Sequence, residues 1–321
     1  MEATRTARHD TIVVSRRSEQ LDAVDDKRLR RLVATKIWTR VAPGAYVLTD
    51  EWRRLRPIEQ HRIRVNEVAR RLAPGTVVSH AAAAAQLDID VLGSWPQTVD
   101  VTIERAGGGR SGGWVRRHAV GLEHVERMPF GCHEITTTAQ TAVDLARSLP
   151  FLRASSAVDQ ALWTGREGGS LTTKEELFAL LDSGAPRRGD VRARRVIEGA
   201  ETLAANVRET QARVLIGQLG FPSSRPQERR VLRTGRLVFG DRYFPEHDHW
   251  LEIDGRGKYR SPEFGPDRDP AAIVIDEKNR ENEIRREVRG FSRLEATDLD
   301  HPLRVYDILT GDGLPSSKPR P

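Results

Sequence analysis

The chain has 321 residues and a formal net charge of +6, from 52 Lys and Arg against 46 Asp and Glu. One cysteine excludes an internal disulfide and a cysteine-based zinc cluster, and no stretch approaches the ~20 apolar residues of a membrane span. The length predicts two or three domains, and the basic balance is a weak pointer to polyanions such as nucleic acid.

Met1 to Asp10 is polar and lacks the apolar core of a signal peptide, so it reads as a flexible arm (1–10) on a cytoplasmic protein with no membrane partner. Ser15 suits the cap of a short helix, Arg16 to Asp22, and Ala23-Val24-Asp25 a turn. Asp25 or Asp26 then caps a second helix, Lys27 to Thr35, with Leu29, Leu32 and Val33 on its buried side. Ile37 to Val41 and Ala45 to Leu48 alternate around Ala42-Pro43-Gly44 as a hairpin. Helix, turn, basic helix and hairpin spell a winged helix-turn-helix over 11–60. Its candidate DNA-binding residues are Lys27, Arg28, Arg30 and Arg31 on the second helix and Arg40 on the hairpin, suited to a major groove or to phosphates. Helix period alone favours the blander description, a solvated basic face on a structural wing.

Residues 61–200 read as an α+β domain. Ser79 caps a helix over Ala81 to Leu87, with His80 structural, and Val99 to Ile103 is a buried strand. Gly107 to Gly113 lacks the Gly-Lys-Ser/Thr ending of a phosphate loop and reads as a hairpin loop joining that strand to Trp114-Val115-Arg116. Arg110, Arg116 and Arg117 are within reach of a nucleic-acid backbone in that reading. Thr138 to Ser148 is an amphipathic helix in which Asp144 and Arg147 form a local ion pair, Cys132 is a lone thiol, and Arg187 to Arg195 enters a linker helix. The run Leu29 to Leu48, with Val77 to Ala81, Val99 to Ile103, Ile135 to Thr138 and Ala142 to Arg147, resembles the N-terminal region of AbiEi-type antitoxin and regulator proteins over about residues 11 to 200. The resemblance implies DNA binding by the winged helix, promoter autoregulation, a cognate toxin protein as partner in the antitoxin setting, and no catalysis in this region.

The stretch Gly240 to Lys258 has the form of a hairpin, with strands from about Arg236 to Phe244 and Trp250 to Asp254. A turn centred on Glu246-His247 pairs Phe244 with His249, Tyr243 with Trp250, Arg242 with Leu251 and Asp241 with Glu252. Period-2 alternation returns Asp254 to the face of Glu252. Three carboxylates this close repel one another, and a divalent cation with hard oxygen ligands, Mg²⁺ or Mn²⁺, would hold them together and activate water. A solvent-facing hairpin whose acids happen to align is an equal alternative. His247 and His249 at the tip have zinc-ligand spacing but no further soft ligand, which favours a solvated turn. After a polar loop, Ser261 to Asp269, a helix over Ala271 to Val288 places Glu277, Arg280 and Glu281 on one face. Gly290 suits its C′ position, and Phe291 to Ala296 is a last strand.

Asp, hairpin, Glu-x-Asp-Gly, then a helix with Glu-Lys-x-Arg-Glu, then Gly-Phe and a strand: this order resembles the Vsr-like endonuclease domains of the PD-(D/E)XK superfamily over roughly Glu209 to Leu309. The resemblance implies a restriction-endonuclease-like mixed sheet flanked by helices over 201–310. Asp241 and Glu252 would bind Mg²⁺ with Asp254 assisting, Lys258 would replace the lysine missing two residues after Glu252, and Glu277 and Arg280 would brace the site. Residues 311–321 read as a disordered tail. The expected protein is therefore an α+β multidomain chain that binds DNA. Its C-terminal domain is a metal-dependent endonuclease, a degenerate relic on a DNA-binding regulator, or a module that neutralises a partner toxin. Pairing of two copies to read two half-sites fits a winged-helix protein.

Overall fold

The structure is a computed structural model that describes residues 14–15, 26–104, 111–183, 186–254 and 270–321. The arm Met1–Asp10, the helix Arg16–Asp22, Arg110, Lys258 and the loop Ser261–Asp269 lie outside the described residues. The chain divides into two compact units, Met1–Leu162 with Ser170–Ala200, and Trp163–Gly169 with Glu201–Pro321. The first mixes helices with two sheets and the second with one.

The first unit opens with β1 (Val14–Ser15), α1 (Asp26–Ala34), β2 (Trp38–Ala42) and β3 (Ala45–Leu48). The three strands form an antiparallel sheet in the order β1-β3-β2. Gly44 turns the β2–β3 hairpin at φ 63°, a left-handed conformation glycine adopts without a Cβ clash. Helix α1 buries Leu29 against Trp38 and Tyr46, and Lys27, Arg28, Arg30 and Arg31 are exposed. Helices α2 (Thr49–Arg54) and α3 (Pro57–Ala69) follow. Trp52, Leu55, Val65 and Val68 from them share one core with Val41 and Val47 of the small sheet and with Val78, Val99 and Ile135 of a larger one. Segments 11–60 and 61–200 thus bury their apolar faces together.

The larger sheet takes β4 (Val77–Val78), β5 (Val99–Ile103), β6 (Val115–Ala119), β7 (Arg127–Phe130) and β8 (His133–Thr136) in the order β6-β5-β4-β8-β7. Between these strands α4 (His80–Gln86) presents Ala81 to Ala85, none more than 8 % exposed, and such small side chains permit close packing on both sides. Helices α5 (Thr138–Ser148), α6 (Phe151–Leu162), α7 (Lys174–Asp182) and α8 (Asp190–Glu198) complete this core. The expected hairpin from β5 to Trp114-Val115-Arg116 is not formed. Strands β5 and β6 run parallel, with Val99 beside Val115 and Asp100 beside Arg116. Alternation marks a strand without giving its direction, and the long connection over 104–114 is what a parallel return requires.

The second unit contains α9 (Val207–Gln218), β9 (Arg225–Val231), β10 (Leu237–Phe244), β11 (His249–Asp254), α10 (Pro270–Arg285), β12 (Gly290–Glu295) and α11 (Pro302–Gly311). Asn206 caps α9 by accepting from the backbone N–H groups of Arg208 and Glu209. The sheet order is β12-β11-β10-β9, with β11 antiparallel to β10 and parallel to β12. Strand β11 is covered on both faces, because Leu251 and Ile253 pack with Ala212 and Leu215 of α9 and Val305 and Leu309 of α11. Its other face sets Trp250 against Ile284 of α10 and Phe291 of β12. The Trp250 indole lies where a Cβ on Gly240 would come within 2.4 Å, so only glycine fits at that point of β10.

Two local expectations are corrected here. Gly290 is the first residue of β12, and a Cβ there would meet His249 Nδ1 at 2.1 Å. Its role is close approach to a ring, and helix α10 has already ended at Arg285. The tail 311–321 is ordered against the second unit. Leu314 is 1 % exposed in the core. Ser316 Oγ donates to Leu219 O (2.7 Å), Ser317 N to Gly220 O (2.9 Å) and Lys318 Nζ to Gln218 O (2.8 Å). A polar composition suggested disorder, but these polar groups satisfy the carbonyls left orphaned at the end of α9.

His61 on α3 is fully buried beside Trp95, with ring centroids 5.2 Å apart. Burial, reinforced by the Arg64 charge, lowers its pKa from 6.5 to about 4. Unfolded, His61 takes a proton as pH falls through 6.5. Folded, it stays neutral down to about 4, so stability is lost as pH falls across that window. The contribution is on the order of 3 kcal/mol. Denaturant titrations at intervals from pH 7 to pH 4 should show this loss, and His61→Phe should flatten it.

Candidate functional site

The sequence-predicted acids lie on β10 and β11. The observed register pairs Arg242 with Leu251, Tyr243 with Trp250 and Phe244 with His249, as the turn geometry required. The ladder ends there. Asp241 stands one residue further on, and its Oδ2 accepts a 2.7 Å hydrogen bond from Ile253 N. A continued ladder would place Ile253 opposite Gly240, so a side chain serves that N–H where the partner backbone would otherwise do so. The neighbouring strand also breaks pattern at this level, with Gln227 of β9 at φ 49°.

Glu252 and Asp254 point to the α10 face, as alternation dictates. Glu252 is 3 % exposed. Such a carboxylate is costly to bury unless paired, and two guanidiniums meet it. Arg280 donates to Oε1 at 2.7 Å, and Arg293 donates to Oε2 at 3.0 Å. Arg280 reaches it because Ile284, one turn on, anchors α10 on Trp250 and Phe291. Arg293 reaches it because parallel pairing of β11 and β12 sets Glu252 and Arg293 side by side. Arg293 also lies 3.3 Å from Asp254, 3.1 Å from Glu281 and 3.8 Å from Glu277. Burial alone would lower the Arg293 pKa, but Asp254, Glu252 and Glu281 outweigh it and hold the group charged, above its ordinary value.

The structure thus gathers Glu252, Asp254, Glu277 and Glu281 about Arg293, with Arg280 on the other oxygen of Glu252. Among the described residues no three acidic, imidazole or thiol groups are arranged to hold a metal ion. In this arrangement Arg280 and Arg293 engage both oxygens of Glu252, and Arg293 also engages one of Asp254. Sequence reasoning missed Arg293 because only the parallel crossover, unseen in local pattern, brings it beside Glu252.

The histidines at the hairpin differ in place. Pro245–His247 forms a 3₁₀ turn, and Asp248 at φ 45° accepts from Tyr243 Oη at 2.8 Å. His249, expected in a solvated turn, is 2 % exposed, and its Nε2 lies 2.8 Å from Ser292 Oγ, which donates to Asp312 at 2.7 Å. Burial lowers the His249 pKa, against the opposing pull of Asp312. It is a structural core histidine.

In the first unit the basic residues of α1 stand on the exposed face described above. Arg40 is exposed on β2 and stacks 5.7 Å from the Trp114 ring centroid. Arg116, expected to touch nucleic acid, instead donates to the fully buried Asp100, which His118 Nε2 also contacts at 2.8 Å. Asp144 and Arg147 are 4.0 Å apart, while Arg147 makes its short contact with Asp190 at 2.7 Å. No helix among the described residues is long and apolar enough to cross a membrane.

Arg293→Met removes the cation that Asp254 and Glu281 share with Glu252 and leaves Glu252 to Arg280 alone, so the loss stays below the ~3–5 kcal/mol of a buried charge with no partner. The variant should melt lower than wild type. Excess Mg²⁺ should then raise the melting temperature of Arg293→Met and leave wild type unmoved, as read by thermal melts with and without the ion. A scan against protein-family models returns no match for this chain, and no curated protein matches it.

Proposed function

We propose that the chain is a non-catalytic DNA-binding regulator whose second unit is a nuclease-like scaffold closed by an ionic knot. The observation that carries the reading is the Arg293 guanidinium seated among Glu252, Asp254 and Glu281. With the acids engaged in this way, the reading places promoter contact on α1. Leu29 fixes one side of that helix to Trp38 and Tyr46, and Lys27, Arg28, Arg30 and Arg31 form an exposed basic row. The element order of a helix against a small antiparallel sheet supports a winged-helix arrangement. Phosphate contacts from such a row supply affinity and make it salt-dependent. A toxin protein as partner and promoter autoregulation belong to the same reading.

A second reading is favoured by Asp241. It sits where the β10–β11 ladder ends, next to the acid-bearing stretch of β11. In that reading the second unit is a Mg²⁺-dependent endonuclease once Arg293 withdraws, with Asp241, Glu252 and Asp254 as ligands and Lys258 near the reacting phosphate.

Gel-shift titration over salt against the promoter of the protein's own gene tests the first reading. Arg30→Ala with Arg31→Ala should weaken binding and lower the slope of log K against log salt by about 2, while Asp241→Ala should bind as wild type does. Plasmid and mismatched duplexes incubated with Mg²⁺, Mn²⁺ or EDTA test the second. Cleavage that needs metal and disappears in Asp241→Ala would establish it, and equal inactivity of both proteins is the outcome expected here.

A further inference from the structure

The first unit holds a cavity of about 700 Å³ that neither reading uses. Its walls are the start of α4 with His80, the end of β6 with His118, Ala119 and Val120, the end of α5 with Asp144 and Arg147, and Pro186 to Gly189 leading into α8, with Arg192 on the first turn of that helix. We propose that this cavity binds a small phosphate monoester of mononucleotide size.

Charge is the first argument. Arg147, Arg187, Arg188 and Arg192 line the cavity, against one carboxylate of its own, Asp144. Arg147 is tied to Asp190 through Nε, and Arg192 donates to the carbonyl of Leu149 at 3.1 Å. The guanidiniums of Arg187 and Arg188 have no hydrogen-bond or ion-pair partner among the described residues. Arg187 lies in the field of Asp144 and Asp190, yet neither guanidinium is committed to a hydrogen bond among the described residues, and such forks match the oxygens of a phosphate in number and geometry.

The floor is the second argument. His80 and His118 stack with ring centroids 3.7 Å apart and an interplanar angle of 11°. His80 is held at φ 50°, a strained conformation for a residue with a side chain. It is 7 % exposed and uses Nδ1 on Ser79 Oγ at 3.0 Å. His118 is fixed from behind by Asp100 at 2.8 Å. A buried, strained ring stacked on a part-exposed one, each held by a hydrogen bond away from the cavity, is the kind of oriented polar floor that ligand sites use.

Size is the third. Free phosphate would fill a small part of 700 Å³, whereas ligand pockets for whole small molecules span ~300–1,000 Å³. Ala119, Val120 and Pro186 give the uncharged part of the ligand an apolar wall. A free nucleotide and the phosphorylated 5′ end of a nucleic acid offer the same chemistry.

The test is isothermal titration of the full chain with inorganic phosphate, with a nucleoside 5′-monophosphate, and with a short single strand carrying either a 5′-phosphate or a 5′-hydroxyl. Saturable binding of the monophosphate or the phosphorylated strand, at least tenfold tighter than inorganic phosphate, is expected. Which of the two binds tighter identifies the source. Arg187→Ala with Arg188→Ala should weaken it at least tenfold, and Ser148→Tyr, which fills the cavity from its rim, should do the same. Arg194→Ala, an arginine of α8 paired with Asp182 outside the cavity, should leave it unchanged. No saturable binding to any probe overturns the proposal. So does binding that ignores both cavity variants, or equal affinity for phosphate and 5′-hydroxyl strands.

Discussion

A buried carboxylate beside a parallel strand carries the design of both units. In the second unit it is Glu252 on β11, met by Arg293 from the parallel neighbour β12. In the first it is Asp100 on β5, met by Arg116 from the parallel neighbour β6. Each acid is almost wholly removed from water, and each would be strongly destabilising alone. Each arginine is the residue directly abreast of its acid. A parallel pair of this kind fixes register as well as charge, because a slip of one residue would move the cation to the opposite face. The two sheets therefore share an ionic way of specifying register that acts beside their apolar packing.

That device bears on function by committing charge. An acid engaged by arginine from two sides is a poor metal ligand until a guanidinium departs, and the proposed regulator follows from that commitment. The exposed basic row of α1 and the arginines at residues 187 and 188 lie outside this ionic cluster. The molecule's outward chemistry is thus cationic and concentrated in the first unit, while its acidic residues of interest are turned inward.

Much of the local architecture was legible in the sequence. The register of β10 on β11 followed from a turn at Glu246-His247 and period-2 alternation, and three observed pairs match it. The helix Thr138–Ser148 and the strand Val99–Ile103 fell where apolar spacing put them. What stayed hidden depends on contacts distant in sequence. Arg293 is 41 residues from Glu252, and only the crossover through α10 reveals the pair. The direction of β6 was hidden because alternation is blind to strand polarity. His249 looked solvent-facing among polar neighbours, yet Ser292 on β12 gives it a partner inside. The tail 311–321 looked disordered because hydrogen bonds to the end of α9 leave no trace in hydropathy.

The two glycines that flank β11 carry a further consequence. Trp250 presses on Gly240 from one side, and His249 presses on Gly290 from the other. Ring and gap form complementary halves, so neither glycine can change unless the aromatic opposite shrinks with it. Kinship to this sheet is therefore better sought in that coupled pattern, small residue against large ring on both borders of a central strand, than in acids that any polar hairpin can display.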